Sequence, residues 1–190
     1  MDLLLITNDV TKTSPLVSAA EQAGWCTVGT LGVAEAIGNS VRRVQPHAIM
    51  VVADTISPQL LAQLQAITGN LPLPVVLLTQ DREQKTIHAA VQAGVTSYVV
   101  DCADPGRIGA LLNVACVRFE EIQKIRQELS ETKNVLAERK YVEKAKGIIM
   151  RQKNMSEDNA YQSLRKLAMD RNKRLGDIAQ EIIMAADILV

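Results

Sequence analysis

The sequence predicts an α/β domain built on a doubly wound parallel sheet, then a long coiled-coil helix that leads into a C-terminal three-helix bundle. Short apolar runs alternate with helical patterns over residues 1–115, a heptad pattern follows, and two amphipathic patterns close the chain. Apolar strands separated by helices are typical of a parallel sheet covered on both faces. The predicted domains are therefore residues 1–115, a linker helix at 116–138 and a helical domain at 139–190.

The strands of the first domain are predicted from short runs that are apolar on both faces. These runs are Leu3–Thr7, a weaker Cys26–Gly29, Ala48–Ala53, Val75–Thr79 and Tyr98–Val100. The helical patterns are Ser14–Ala23, Val33–Val44, Gln59–Thr68, Gln84–Ala93 and Pro105–Arg118. Five strands and five helices in this length fit a flavodoxin-like (CheY-like) fold, whose functional edge lies at the carboxyl ends of the strands.

An apolar stripe with heptad spacing runs along the predicted linker helix. Ile122, Ile125, Leu129 and Leu136 follow the alternating steps of a heptad seam, with Glu, Lys and Arg on the flanks. Because no Gly or Pro interrupts positions 110–146, one helix is expected to continue from the first domain into the last. The stripe predicts a homodimer through a coiled coil. The alternative is that the stripe packs onto the chain's own domains.

Two shorter helices are predicted after the long one. Asn154 suits the left-handed conformation that ends a helix, and Ser156 suits the N-cap of the next helix. The apolar stripes of these two helices predict the core of a three-helix bundle. They consist of Ala160, Leu164, Leu167 and Ala168 in the first helix, and of Ile178, Ala179, Ile182, Ile183 and Ala186 in the second.

The zero net charge of the chain conceals a basic C-terminal end. Residues 1–115 hold six Lys/Arg against nine Asp/Glu, whereas residues 139–190 hold eleven against seven. A basic end suits an anionic partner, and the alternative is a solvated charged surface. The three cysteines lack metal-ligand spacing and are predicted to be buried in a reducing cytosol. Without a signal-peptide pattern or a long apolar run, a cytoplasmic protein that does not contact membranes is expected.

The C-terminal end resembles a known family. Residues 142–151 (VEKAKGIIMR), 156–161 (SEDNAY), 164–169 (LRKLAM) and 174–179 (RLGDIA) resemble an ANTAR domain in order and spacing. The resemblance implies a transcription antiterminator that binds paired stem-loops of a nascent leader mRNA and acts on RNA polymerase indirectly. The layout is similar to that of family members that regulate nitrate assimilation and amide utilisation, which implies control by a partner sensor protein.

The candidate RNA contacts are basic side chains of this region, together with one aromatic residue and one glycine. Proteins that read RNA mostly stack unpaired bases on aromatic rings and place cations on phosphates. Each cation alone is more often a solvated charge, but Lys146 and Arg165 lie inside the motif. Gly147 costs helix stability, so it is expected to permit close helix packing or close approach of RNA. The candidates are Lys144, Lys146, Gly147, Arg151, Lys153, Tyr161, Arg165, Lys166, Arg171, Lys173 and Arg174.

The first domain resembles a response-regulator receiver but departs from it where phosphorylation would occur. Asp54 is the candidate phosphoacceptor at the end of strand three, and Thr79 ends strand four. Asn8-Asp9 supplies one carboxylate where two are usual, and Asp101 stands where the motif has a Lys. Like charge beside Asp54 opposes phosphorylation, so we interpret the domain as a pseudo-receiver. No cofactor is predicted, and Mg²⁺ at Asp9 and Asp54 is the single candidate.

The leading hypothesis is an RNA-binding antitermination regulator controlled by a sensor protein rather than by phosphorylation. A role in nitrate or nitrogen assimilation is implied by the resemblance alone. The alternative is a response regulator phosphorylated at Asp54 whose helical tail serves dimerisation or protein docking. A DNA-binding regulator is disfavoured because the tail has no helix-turn-helix pattern. No nucleophile with a base, metal cluster or glycine-rich phosphate loop occurs, and His47 and His88 lack companions, so no enzyme is expected.

Overall fold

The computed structural model describes residues 1–33, 35–101 and 104–188. The chain divides into two compact units, Met1–Gln123 and Lys124–Val190. Each unit has its own apolar core, and one helix belongs to both units.

The first unit contains a five-stranded parallel sheet with the strand order β2-β1-β3-β4-β5. This is the flavodoxin-like order, so the predicted fold class is confirmed. The middle strands β1, β3 and β4 are buried along most of their length, whereas the edge strand β2 alternates between exposed and half-buried residues. The strands are β1 (Asp2–Thr7), β2 (Cys26–Leu31), β3 (Ala48–Val52), β4 (Val75–Thr79) and β5 (Ser97–Val100).

Helices cover both faces of the sheet because neighbouring residues of a strand point to opposite sides. Leu4 and Ile6 of β1 pack with α2, α3 and α4, whereas Leu3 and Leu5 pack with α1 and the start of α5. Trp25 belongs to the second layer and donates from Nε1 to Asn113 Oδ1 at 3.2 Å. The helices are α1 (Val10–Gln22), α2 (Ile37–Val44), α3 (Pro58–Asn70), α4 (Gln84–Gln92) and α5 (Ile108–Lys153), with a 3-10 turn at Pro105–Arg107 before α5.

Two helices begin four residues away from the predicted position, because side chains bind the backbone near their starts. The helix α1 begins at Val10 rather than Ser14, and the Asp9 carboxylate accepts from the backbone N–H of Thr11 at 3.1 Å. The helix α2 begins at Ile37 rather than Val33. The Val33 N–H instead donates to Asn8 Oδ1 at 2.9 Å, which holds this segment in the loop.

The long helix predicted from the absence of Gly and Pro is confirmed. The helix α5 runs without interruption from Ile108 to Lys153, and both predicted domain boundaries fall inside it. Asn154 follows with a φ of 47°, which is the left-handed conformation predicted to end the helix.

The second unit packs the end of α5 with two shorter helices around one apolar cluster. These are α6 (Glu157–Asp170) and α7 (Leu175–Ile188). The predicted N-cap is confirmed, since the Ser156 side chain accepts from the Asn159 N–H at 3.4 Å. The predicted core residues of both helices are buried or half-buried in this cluster, alongside Val142, Ala145, Ile148 and Ile149 of α5.

The prediction that the cysteines are buried is wrong for one of them. Cys26 is exposed because it begins an edge strand, and Cys116 is partly buried. Cys102 lies outside the described residues. Within the described part of the chain, no helix combines the length and the apolar character needed to cross a membrane.

Candidate nucleic-acid interface and sheet-edge clefts

Two predicted phosphorylation-site carboxylates lie together at the carboxyl edge of the sheet. Asp9 follows β1 and Asp54 follows β3, and these strands are neighbours at the point where the strand order reverses. Both residues line a cleft of about 210 Å³. Asp54 does not end β3 as predicted. It is exposed and lies two residues beyond the strand, which ends at Val52.

The polar side chains after β1 are engaged by the surrounding backbone. Asp9 Oδ1 accepts from both the N–H and the hydroxyl of Thr11, at 3.1 and 2.5 Å. The described residues contain no group of three or more His, Cys, Asp or Glu side chains that could hold a metal ion. Mg²⁺ at this cleft would therefore depend on Asp9, Asp54, carbonyl groups and water.

The hydroxyl of Thr79 is buried and bonded in both directions. It donates to the backbone carbonyl of Asp54 at 3.1 Å and accepts from the N–H of Asp81 at 3.1 Å. The Tyr98 hydroxyl donates to the Asp81 carbonyl at 3.0 Å. Burial, followed by the charge of Asp81, raises the pKa of Tyr98. These bonds join the loop after β4 to the neighbouring strands.

Asp101 brings a carboxylate to this same edge of the sheet. It follows β5 with a φ of 52° and lines a cleft of about 490 Å³ together with Asp54 and Thr79. Arg82, in the loop before α4, forms an ion pair with the Asp101 carboxylate. Both side chains are substantially exposed, so the pair contributes little to stability. The position where a receiver has a Lys is thus occupied by the carboxylate of Asp101, whose charge is balanced by Arg82.

Neither histidine lies at this edge of the sheet. His47 directly precedes β3, at the opposite end of the strands, and its Nδ1 accepts from the Asp2 N–H at 3.0 Å. His88 lies within α4.

In the second unit, Lys146 differs from the other candidate RNA contacts because it is nearly buried. Its side chain is 11% exposed, and its Nζ lies 2.6 Å from Glu157 Oε1 and 2.9 Å from Glu143 Oε1. Hydrogen bonds to Glu157 and then to Glu143 raise the pKa of Lys146. The same bond lowers the pKa of Glu157. In this arrangement Lys146 joins α5 to the first turn of α6.

The other predicted cations are exposed, and two of them share a carboxylate. Arg171 and Lys173, between α6 and α7, both pair with Glu181 of α7. The bond from Lys173, together with the charges of both cations, lowers the pKa of Glu181. The remaining exposed cations are Lys144, Arg151, Lys153, Arg165, Lys166 and Arg174.

One face of α6 combines an aromatic ring, a guanidinium group and a thioether. Tyr161, Arg165 and Met169 follow one another at four-residue spacing, which places them on one side of the helix. Tyr161 is 39% exposed and Met169 is 71% exposed. Sequence reasoning missed Met169, although its spacing from Arg165 is a signal that would have found it. Flat and polarisable side chains on an exposed face can stack on nucleobases.

Two glycines of this unit meet very different surroundings. A Cβ on Gly176, at the start of α7, would lie 2.5 Å from Glu138 Cγ, and the Gly176 N–H donates to Glu138 Oε1 at 3.1 Å. Glu138 thus caps α7, a role that sequence reasoning missed. A Cβ on Gly147 would meet no atom within 4 Å, so close packing between helices of the described chain does not explain this glycine.

The predicted dimer seam is exposed along α5. Ile122, Ile125, Leu129 and Leu136 are each at least 44% exposed.

Residues 130–183 match the family model of the ANTAR domain, across the end of α5, α6 and most of α7. The chain carries an ANTAR domain. The chain is 40% identical over 73 residues to the nitrate regulatory protein of Klebsiella oxytoca, covering 38% of this chain and 18% of that protein. It is 28% identical over 110 residues to the transcriptional regulatory protein PdtaR of Mycobacterium tuberculosis, covering 58% and 54%. The chain thus spans about half or less of the curated relatives that it matches.

The part of the chain before the ANTAR domain shares its fold with receiver domains. The signal receiver domain of a modulated diguanylate cyclase from Desulfovibrio desulfuricans G20 superposes with a TM-score of 0.54 at 13% identity, covering 63% of this chain and 95% of that domain. A two-component response regulator of the LuxR family from Aurantimonas sp. SI85-9A1 gives 0.53 at 15% identity, covering 61% and 84%. The chain therefore carries an ANTAR domain at residues 130–183, and the part before it has the fold of receiver domains.

Proposed function

We propose that this protein is a cytoplasmic antitermination regulator whose ANTAR domain binds stem-loops of a nascent leader mRNA and so acts on RNA polymerase indirectly. The exposed α6 face of Tyr161, Arg165 and Met169, inside the matched ANTAR segment, is the observation that carries the proposal. Unpaired loop bases can stack on such a face, which supplies the contact that sequence-selective RNA binding needs.

Exposed cations of the ANTAR segment supply the electrostatic part of binding. Arg165 and Lys166 lie on α6, Arg151 and Lys153 at the end of α5, and Arg174 just before α7. Cations placed on phosphates release counterions, so binding should weaken steeply as the salt concentration rises. Arg171 and Lys173 take part with their charge partly neutralised by Glu181.

Lys146 supports RNA binding through the fold rather than by contact. Its ammonium group is bonded to two carboxylates and is nearly inaccessible. We assign it the role of a positioning residue that holds the start of α6, and hence Tyr161, against α5.

A parallel coiled coil through α5 is the proposed dimer. In a heptad with Ile122 and Leu129 at the a positions, Glu121 and Glu128 occupy the g positions. Arg126 and Lys133 occupy the e positions that meet these acids in a parallel, in-register pair. An antiparallel pair would oppose like charges, and flanking charges of this kind set strand orientation. The receiver and ANTAR domains, with boundaries at 115/116 and 138/139, flank this linker.

Control by a partner sensor protein, rather than by phosphorylation, is supported by the sheet-edge clefts. Asp101 places a carboxylate in the cleft that Asp54 lines, and its pairing with Arg82 weakens but does not reverse the repulsion of an added phosphoryl group. A role in nitrate or nitrogen assimilation is proposed on the likeness to the nitrate regulatory protein.

The test is a mobility-shift titration with a synthetic RNA of two hairpins that carry six-nucleotide loops. We expect binding that weakens with salt, a strong loss on Arg165→Ala or Tyr161→Ala, and an unchanged melting temperature for both variants. The protein failing to bind any hairpin RNA at low salt would overturn the proposal. Lys85→Ala on α4 is the matched control for removal of one exposed cation.

A phosphorylated response regulator is the second candidate, favoured by Asp9 and Asp54 lining one cleft. Incubation with acetyl phosphate and Mg²⁺ tests it by intact-mass measurement. A phosphoryl adduct that disappears in Asp54→Asn would establish this candidate. On our proposal the wild-type protein stays unmodified, and Asp101→Lys, which restores the missing cation, gains the adduct.

A further inference from the structure

A basic stripe centred on a glycine runs along one face of α5. Lys140, Lys144, Gly147 and Arg151 lie four, three and four residues apart, which places them in one row on a helix. The three cations are exposed and Gly147 is partly exposed.

This row faces away from the core of the ANTAR domain. The buried residues Val142, Ala145 and Ile149 of α5 lie on the opposite side of the helix, in the cluster shared with α6 and α7. The row therefore takes no part in the packing that forms the bundle, and its three cations are exposed to solvent.

Gly147 has no structural reason to be a glycine within the described chain. A Cβ there would meet no atom within 4 Å, and its φ is not in the left-handed region. An alanine would stabilise the helix. Gly176 is the contrast, because a Cβ there would collide with Glu138. The open space at Gly147 is thus best explained by something outside the chain that approaches the helix closely.

The charge of this face of α5 indicates the chemical class of the partner. On α5 the apolar seam ends at Leu136, and the cationic row begins at Lys140. A second copy of the chain would set like charges against each other here, so the dimer does not continue through this face. The carboxylate of Glu143, which precedes Lys144 in the chain, is bonded to Lys146. A polyanion suits this face.

We infer that a phosphodiester backbone of RNA crosses α5 at Gly147, with Lys140, Lys144 and Arg151 on its phosphates. The inference rests on the proposed function and adds to it the place and the chemistry of one contact. The missing side chain lets the sugar–phosphate chain touch the helix, which brings phosphates within reach of the cations one turn away on either side. The α6 face contacts the bases. This row binds phosphates and contributes affinity that does not depend on the RNA sequence.

The first experiment uses variants that fill the open space at Gly147 without disturbing the fold. Gly147→Ala and Gly147→Leu are compared with Gly69→Ala, because Gly69 is also a helical glycine whose Cβ would meet nothing within 4 Å. Affinity for the two-hairpin RNA is measured by fluorescence anisotropy at low salt. Gly147→Ala should melt at a higher temperature than wild type and yet bind about five-fold more weakly or worse. Gly147→Leu should bind more weakly still, and Gly69→Ala should bind as wild type does.

The second experiment tests the phosphate assignment. Lys140→Gln and Arg151→Gln should each reduce the slope of log affinity against log salt by about one, equally for two RNAs that differ in loop sequence. Lys85→Gln on α4 should leave the slope unchanged.

The outcomes separate this inference from the function on which it rests. If the wild-type protein binds no hairpin RNA, the proposed function fails, and the site fails with it. If the wild type binds and Gly147→Ala binds equally well, only the site is overturned. A loss confined to one loop sequence would mean base contact and would overturn the phosphate assignment.

Discussion

The ammonium nitrogen of Lys146 lies 2.6 Å from the carboxylate of Glu157, across the junction between α5 and α6. The lysine is nearly buried and the glutamate is exposed, so the pair closes one edge of the ANTAR core. A residue that the motif marked as an RNA contact thus links two helices of the fold.

The first prediction concerns this link. Lys146→Met and Glu157→Gln should each lower the melting temperature, because the first removes the cation that joins the helices and the second weakens its partner. The double variant Lys146→Met with Glu157→Gln should lose less than the sum of the two single losses, because both changes remove the same contact. Circular dichroism melts and RNA titrations of the same samples check it. A Lys146→Met protein that keeps its melting temperature but loses RNA binding would identify Lys146 as a direct contact instead.

The second prediction is the pH dependence of that link. The pKa of Glu157 is lowered in the folded protein, so its contribution is present above the usual pKa of Glu, about 4.3, and is lost as the pH falls through the lowered value. The pKa of Lys146 is raised, so its contribution persists below the usual pKa of Lys and is lost as the pH rises through the raised value.

The difference in melting temperature between wild type and Glu157→Gln should therefore be constant near neutral pH and shrink in acid. Melts of both proteins across the acid range measure it. A difference that grows as the pH falls would contradict the assigned sign.

The third prediction concerns the cap of α7. Gly176→Ala should destabilise the ANTAR domain by about 1 kcal/mol, because the new Cβ displaces the Glu138 side chain from the Gly176 N–H. In a Glu138→Ala background the same substitution should cost almost nothing. Chemical denaturation of the four proteins in this cycle measures the coupling, and equal costs in both backgrounds would rule the cap out.

The fourth prediction concerns the exposed seam of α5. Leu129→Glu should convert the dimer to a monomer, because it places charges against each other at the centre of the apolar stripe. Light scattering after size exclusion measures the mass, and Lys85→Glu on α4 is the control for surface charge.

Strand orientation in the dimer needs a separate test. Ile122→Cys should cross-link under mild oxidation in a parallel, in-register dimer. Antiparallel helices place the two copies of this residue apart. The wild-type protein, which retains Cys26, Cys102 and Cys116, serves as the control for background cross-linking.

Much of the fold is encoded locally. The strand Val75–Thr79 has the bounds that the sequence predicts, because its run is buried on both faces and lies between Pro74 and Gln80. The start of α2 could not be predicted, since it depends on the hydrogen bond between Val33 and Asn8, residues far apart in the chain.

Within the ANTAR domain, the sequence alone determined the helices, the stop at Asn154, the N-cap at Ser156 and the basic charge, because these follow from residue type and helical period. Only the tertiary structure decided which cations remain available. Packing of α6 against α5 buried Lys146 between two carboxylates and left a space at Gly147 that no atom of the described chain fills. Accessibility depends on which surfaces meet, and residues distant in the chain set those surfaces.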